Sequence, residues 1–241
     1  LEDGPAGEHL PDRLARETVE FMERREDTPF LAVLSFYSVH TPLLAPEPLV
    51  ETHRERRDSL QVDGPRWGRE RNRKVRLVQD HAVYAAMVET MDRAVGTVLD
   101  GLDRLGLADD TVVIFFSDNG GLSTSEGHPT SNLPFRAGKG WLYEGGIRVP
   151  AIIEWPARIK SNRITKTNAN TSDIYPTLLE LAGAALHKNQ PVLDGTSLVA
   201  LLGGKAKRRE KPMGFWTYPT KGRGRKSRAM LEVLRQEQLA G

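Results

Sequence analysis

The sequence contains no cysteine, which excludes disulfide bonds, a thiol nucleophile and thiolate-ligated metal within these residues. Nor does it contain an apolar run approaching the ~20 residues that a membrane-spanning helix requires. Neither charge sign dominates: 34 Lys and Arg stand against 32 Asp and Glu. Composition as a whole therefore does not describe a nucleic-acid binder, and any basic character must be local. The N-terminus lacks the basic, apolar and small-residue succession of a signal peptide, and no internal repeat is present. Its first residue is Leu1 rather than methionine, from which a processed chain or a piece of a longer one is expected. What is present is 241 residues, 39% of them hydrophobic. That suffices for one sizeable α/β domain burying roughly three quarters of its unfolded surface.

Thr111 to Phe116 (TVVIFF) is β-branched and aromatic without a helical period, and it runs straight into Ser117-Asp118-Asn119-Gly120-Gly121. The pattern predicts a fully buried strand that delivers a carboxylate and an amide into a loop. In an open α/β sheet such loops are where ligands bind. Side chains alternate faces within a strand, but the glycines free the backbone to turn Asp118 and Asn119 towards one point, where two oxygens suit a hard cation such as calcium. A second signal follows in Ala137-Gly138-Lys139-Gly140 and Tyr143-Glu144-Gly145-Gly146-Ile147-Arg148-Val149-Pro150. Small residues around Lys139 permit close approach of an anion, and the Glu-Gly-Gly turn leads towards another strand.

These motifs, in this order, resemble the sulfatases, calcium-dependent sulfuric-ester hydrolases of the alkaline-phosphatase-like fold. The implied fold class is α/β, a three-layer sandwich with a large mixed sheet, incomplete in this segment. The resemblance extends over Asp12 to Leu202. Phe36-Tyr37-Ser38-Val39-His40-Thr41-Pro42 resembles the sulfatase segment whose histidine contacts the sulfate group; taken alone, His40 reads as a hydrogen-bonded structural residue. Tyr84 to Met87, with Met91-Asp92 and Val95-Gly96, resembles the structural helix that precedes the Asp-Asn strand.

Read along the chain, Asp12 is the expected N-cap of a helix carrying Leu14, Val19, Phe21 and Met22, closed by the charged run Glu23 to Asp27. Phe30 to Tyr37 predicts a buried strand ending just before His40. Pro46 to Val78 holds Arg54, Arg56, Arg57, Arg66, Arg69, Arg71, Arg73, Lys74 and Arg76 around Trp67. This basic patch is expected as a solvated insertion, with attraction of a polyanion as the sharper alternative. His81 to Leu107 is the clearest helix, its apolar residues recurring at spacings of three and four, with Met87 and Met91 in the core. Leu122 to Arg136 reads as a polar loop at the mouth of a site, in which His128 is assigned no chemistry. Val149 to Trp155 predicts a strand, and Asp173 to Gly183 a core helix stopped by its glycine. Leu193 to Leu198 reads as a packing loop.

Two segments are expected: 1–203, the C-terminal portion of a sulfatase catalytic domain, and 204–241, a basic stretch opening a truncated smaller subdomain. Basic residues interleaved with Phe215, Trp216 and Tyr218 in the latter also fit a nucleic-acid surface, but no nucleic-acid partner is expected. The resemblance further implies that Asp118 and Asn119 are calcium ligands, while Lys139 and His40 hold sulfate oxygens and the leaving-group oxygen. It implies a formylglycine nucleophile within a Cys/Ser-x-Pro-x-Arg motif, paired aspartates completing the calcium site, and a Gly-Lys-x-His motif. All three belong to the family's N-terminal half and none occurs here. The expectation is therefore a parent enzyme that hydrolyses sulfate esters, its substrate extending to sulfated polysaccharides, with this segment alone inactive. Family resemblance implies a periplasmic or secreted parent. The alternatives are a phosphodiesterase or phosphonate hydrolase of the same superfamily and a non-catalytic polyanion-binding protein.

Overall fold

Helix α3 (Ala82–Arg104) follows from the apolar period of its sequence and carries the packing of the first part of the chain. The computed structural model describes residues 5, 7–25, 28–70, 73–159, 163–209 and 211–214. It divides into two compact units, Leu1–Ile153 and Glu154–Gly241.

In the first unit, α1 (Leu10–Glu23) packs on the C-terminal half of α3: Val19 and Met22 meet Leu102, with Phe30, Val98, Leu99 and Val113 around them. Close approach is possible because Gly101 has no side chain; a Cβ there would lie 2.8 Å from Val19 Cγ2. The helix starts earlier than Asp12 suggested. His9 is the N-cap, without a side-chain hydrogen bond, Pro11 occupies the first turn where its missing N–H costs nothing, and Asp12 instead pairs with Arg93 of α3 at 2.9 Å. At the other end of α3, His81 caps the helix by accepting from the Tyr84 N–H, and Met87 is buried as expected, whereas Met91 is half-buried.

Helix α2 (Glu47–Ser59) lies within the insertion expected to be solvated, and its buried Val50 packs against Ala82 and Ala86 of α3. A hairpin of β1 (Trp67–Glu70) and β2 (Arg73–Arg76) follows, antiparallel, with Gly68 opposite Val75. Much of the basic patch is neutralised locally. Arg54 contacts Glu47 and Glu51 at 2.6 and 2.7 Å, Arg57 contacts Asp58, Arg56 faces Glu89, and Arg66 and Arg76 both bind the buried Asp80. Burial alone would raise the Asp80 carboxyl, but the hydrogen bonds from the two guanidinium groups outweigh it and hold the group below its ordinary range. Lys74 and Arg76 lie over the Trp67 ring, and Arg71 falls outside the described residues.

Strand β3 (Val113–Phe116) pairs with β4 (Ala151–Glu154), and the two form the second sheet. The large mixed sheet is thus represented by one pair of strands among the described residues, as befits an incomplete α/β segment. Two expectations of burial fail here. β3 is half-buried rather than enclosed, and Phe30 to Tyr37 forms no strand: among the described residues nothing pairs with it, and Leu31, Val33 and Tyr37 are 65%, 79% and 71% exposed. A strand exists only by its ladder, and sequence pattern alone supplies no partner.

In the second unit, a short 3-10 turn (Thr171–Asp173) leads into α5 (Ile174–Leu181), after which Gly183 takes φ +63°, the left-handed conformation that ends a helix. A further turn of helix, α6 (Val199–Leu202), follows the loop from Leu193. That loop is pinned by Asp173, which is fully buried and accepts from the Asn170 and Thr196 N–H groups, each at 2.8 Å, and from Arg209. Most of 204–241, including Phe215, Trp216 and Tyr218, lies outside the described residues. No helix among the described residues is long and apolar enough to cross a membrane.

Candidate active site

Two turns that stand about twenty residues apart in sequence interlock here, and glycine makes that possible. A Cβ on Gly120 would lie 1.9 Å from the Gly145 carbonyl oxygen, and one on Gly146 2.1 Å from the Trp141 oxygen. Likewise a Cβ on Gly138 would meet the Gly121 oxygen at 2.5 Å. Backbone hydrogen bonds close the cluster: Gly120 N to Gly146 O at 2.9 Å, Lys139 N to Gly121 O at 3.0 Å, and Gly145 N to Arg136 O at 2.8 Å. The turn Tyr143 to Gly146, expected only to lead into a strand, winds into the single-turn helix α4 (Glu144–Ile147).

Lys139 is therefore anchored by its backbone to the residue that follows Asp118-Asn119-Gly120. Asp118 is exposed, while Asn119 and Lys139 are half-buried. The Asn119 Nδ2 donates to the Gly120 carbonyl at 3.0 Å, which leaves its Oδ1 as the outward acceptor. The Asp118 carboxylate and the Lys139 ammonium have no hydrogen-bond or ion-pair partner among the described residues. The structure thus brings Asp118, Asn119 and Lys139 to one turn cluster.

His40 is exposed in a separate loop, between two cis peptide bonds, Ser38-Val39 and Thr41-Pro42. Its Nδ1 lies 2.7 Å from the Thr41 carbonyl oxygen, so it is the donor there, and Nε2 is the free nitrogen. The tie between this loop and the residues following Asp118 is Thr41 Oγ1 donating to Glu126 at 3.3 Å.

Several supporting residues carried no local signal in the sequence. Asn132 Nδ2 lies 2.8, 3.1 and 3.0 Å from Gly121 O, Ser123 Oγ and Ala137 O, tying both ends of the polar loop together. Glu70, on β1, accepts from the Ala137 N–H and from Arg136 Nε. Ala137 adopts φ +61°, a left-handed conformation unusual for a residue with a side chain. Those hydrogen bonds at its N–H and carbonyl hold it there, immediately before Gly138-Lys139. Trp141 is buried, with Nε1 donating to Thr124 Oγ1 at 3.0 Å. His128 donates from Nδ1 to the Ser123 carbonyl and packs edge-on to Trp67, a polar loop residue as expected.

Asp118 and Asn119 offer the donor chemistry of a hard cation, since one carboxylate and one amide oxygen are open. Calcium takes six to eight oxygens, and no group of three or more His, Asp or Glu side chains able to hold a metal occurs among the described residues. The residues present fit part of such a site.

The sulfatase family profile matches residues 2–184. The chain belongs to the sulfatase family. A second profile, the C-terminal region of N-sulphoglucosamine sulphohydrolase, matches residues 137–232. The sulfatase segment is 36% identical over 213 residues to human steryl-sulfatase, covering 86% of this chain and 32% of that protein. It is 37% identical over 224 residues to a sulfatase of Formosa agariphila, covering 88% and 37%. Among solved structures, Ps i-CgsB in complex with k-i-k-neocarrahexaose superposes with a TM-score of 0.68 at 30% identity, covering 85% of this chain and 41% of that one. The chain therefore spans about a third of the length of these curated relatives, and its fold is that of a sulfatase segment.

Proposed function

We propose that this chain supplies part of the sulfate-binding and metal-binding wall of a sulfate-ester hydrolase, in which Asp118 and Asn119 are calcium ligands and Lys139 and His40 handle the ester. The observation that carries the reading is the glycine interlock, which joins the Asp-Asn turn to the Lys139 turn while leaving both charged ends without a partner among the described residues. Calcium, when bound, would neutralise charge on sulfate oxygens. Lys139 contributes a point positive charge whose backbone is hydrogen-bonded to Gly121, so its ammonium is available to a sulfate oxygen beside the Asp-Asn turn. His40 has Nδ1 committed as a donor to Thr41. A protonated ring therefore presents Nε2–H as a proton donor for the departing alcohol oxygen as the S–O bond breaks. Water is consumed overall, giving alcohol and sulfate. The nucleophile lies outside these residues, and the resemblance assigns it to formylglycine.

We further propose residues 1–203 as the catalytic-domain portion and 204–241 as the start of a smaller subdomain. A sulfated saccharide as substrate is supported by the solved relative bound to k-i-k-neocarrahexaose. The test is sulfate release from 4-nitrophenyl sulfate by the full-length gene product containing this chain. Asp118→Ala is expected to lower kcat/KM by about 100-fold or more and to remove the response to added calcium, and Lys139→Ala to lower kcat/KM comparably. Full retention by either variant would refute its assignment, and faster turnover of the matched phosphate ester would replace the reaction class.

A further inference from the structure

The second unit contains an open cleft of about 930 Å³ between residues 163–168 on one side and residues within 201–209 and 211–213 on the other. Six of its lining residues are cations: Arg163, Lys166, Lys207, Arg208, Arg209 and Lys211. Among the described residues no carboxylate lines it. This contrasts with the arginines from α2 to β2, most of which face an acid, Arg66 and Arg76 sharing Asp80.

The cations divide by what they already do. Arg163 donates to the Leu201 carbonyl and Lys211 to the Leu193 carbonyl, so both brace the walls. Thr167 Oγ1 donates to the Lys207 carbonyl at 3.1 Å and joins the two sides. Arg209 is nine-tenths buried and binds Asp173 through one terminal nitrogen, but its buried Nε has no hydrogen-bond partner among the described residues. A buried guanidinium N–H without an acceptor is costly unless a ligand supplies one. Lys166, Lys207 and Arg208 are exposed, with no ion pair among the described residues. Three rim charges and one buried donor, none with an opposing group among the described residues, describe an acceptor-rich, multiply anionic ligand.

No aromatic side chain lines the cleft among the described residues. Single-stranded nucleic acid is held largely by stacking of its bases on aromatic rings, which this surface does not offer. It offers instead the side chains of Thr165 and Asn168, hydrogen-bonding partners for hydroxyl groups, beside the apolar Ile164, which is 94% exposed. We propose that this cleft, formed within the second unit, is a binding site for a sulfate-bearing oligosaccharide. The choice of sulfate as the anion rests on the sulfate-ester reading above; the demand for several anionic groups rests on the cleft alone.

The experiment is fluorescence anisotropy of a labelled dextran sulfate oligomer with the full-length gene product at low ionic strength. Unsulfated dextran of equal length, inorganic sulfate and a single-stranded oligonucleotide serve as competitors. Dextran sulfate is expected to bind, more weakly as salt rises, and to resist displacement by unsulfated dextran. The triple variant Lys166→Ala, Lys207→Ala, Arg208→Ala is expected to bind about tenfold or more weakly. A charge-matched control, Arg69→Ala, Arg73→Ala, Lys188→Ala, should change affinity by less than about twofold. Equal loss in both variants, or none in the first, overturns the site. Oligonucleotide displacing the probe at equal charge would make the surface a general polyanion patch and overturn the saccharide assignment. Displacement by millimolar inorganic sulfate alone would overturn the demand for several anionic groups. The readout is binding, so absence of ester turnover in the same protein would sink the hydrolase reading and leave the cleft standing.

Discussion

Gly120, Gly145 and Gly146 hold the candidate site together by having no side chains. At Gly120 the atom a Cβ would strike is a backbone oxygen 1.9 Å away, which no rotamer change can relieve. Gly120→Ala is therefore expected to cost about 3 kcal/mol or more and to abolish ester turnover, read as a lowered urea midpoint and a lost kcat in the full-length protein. Gly96 supplies the contrast. It lies inside α3, where an added methyl would meet nothing within 4 Å, so Gly96→Ala should raise stability by about 0.5–1 kcal/mol through helix propensity alone. The motifs that hold the proposed site residues were legible: Asp118, Asn119 and Lys139 stand in short motifs whose turn chemistry is local. Their supports were not, because Asn132 and Glu70 act on residues of other segments, Glu70 from 67 positions away.

The 3-10 turn ahead of α5 and the loop from Leu193 depend on one carboxylate. Asp173 is fully buried; burial raises its pKa, but the Arg209 hydrogen bond and the Thr196 and Asn170 N–H groups outweigh that and hold it below the ordinary carboxylate range. A depressed folded pKa contributes stability that is complete above the unfolded value of about 3.9 and is lost as pH falls through the lower folded value. Amide exchange protection at Asn170 and Thr196 should therefore hold from neutral pH down to about pH 4 and decline below it. Asp173→Asn should flatten that acid limb and cost about 3–5 kcal/mol at neutral pH, since it leaves the Arg209 guanidinium buried without its counter-charge. An unaltered acid limb in the variant would remove Asp173 as its cause. Within the first unit, α1 shows the same dependence on distant charge: Asp12 looked like a cap by position and serves instead as the partner of Arg93.

Taken as a whole, the molecule exposes apolar side chains on segments whose sequences are those of buried strands. Leu31, Val33 and Tyr37 belong to an extended stretch without a ladder, and Ile152 of β4 is 61% exposed. Unpaired strand edges and contiguous apolar surface promote association. The 241-residue polypeptide expressed by itself is expected to bind a hydrophobic dye such as ANS, to scatter light at micromolar concentration and to release no sulfate from 4-nitrophenyl sulfate. A monodisperse, dye-negative preparation would contradict the first two expectations, and measurable turnover the third. The chain matches about a third of each curated relative, so the partner surfaces of these strands are sought in the remainder of a sulfatase domain.

By itself the sequence determined those features whose causes lie within a few residues. The apolar period produced α1, α3 and α5, Gly183 ended the last of these, and the Asp-Asn-Gly-Gly and Gly-Lys-Gly turns pointed to the family and to a candidate site. Only the tertiary structure decided what depends on residues far apart. It closed the two glycine turns on each other, set acids against most arginines of the basic patch, left Phe30 to Tyr37 without a ladder, and gathered unopposed cations around the cleft of the second unit. The physical reason is that helix period and turn conformation are set by short-range sterics and hydrogen bonds. Strand burial and charge neutralisation are relations between surfaces, and a surface acquires its partner only when the chain has folded.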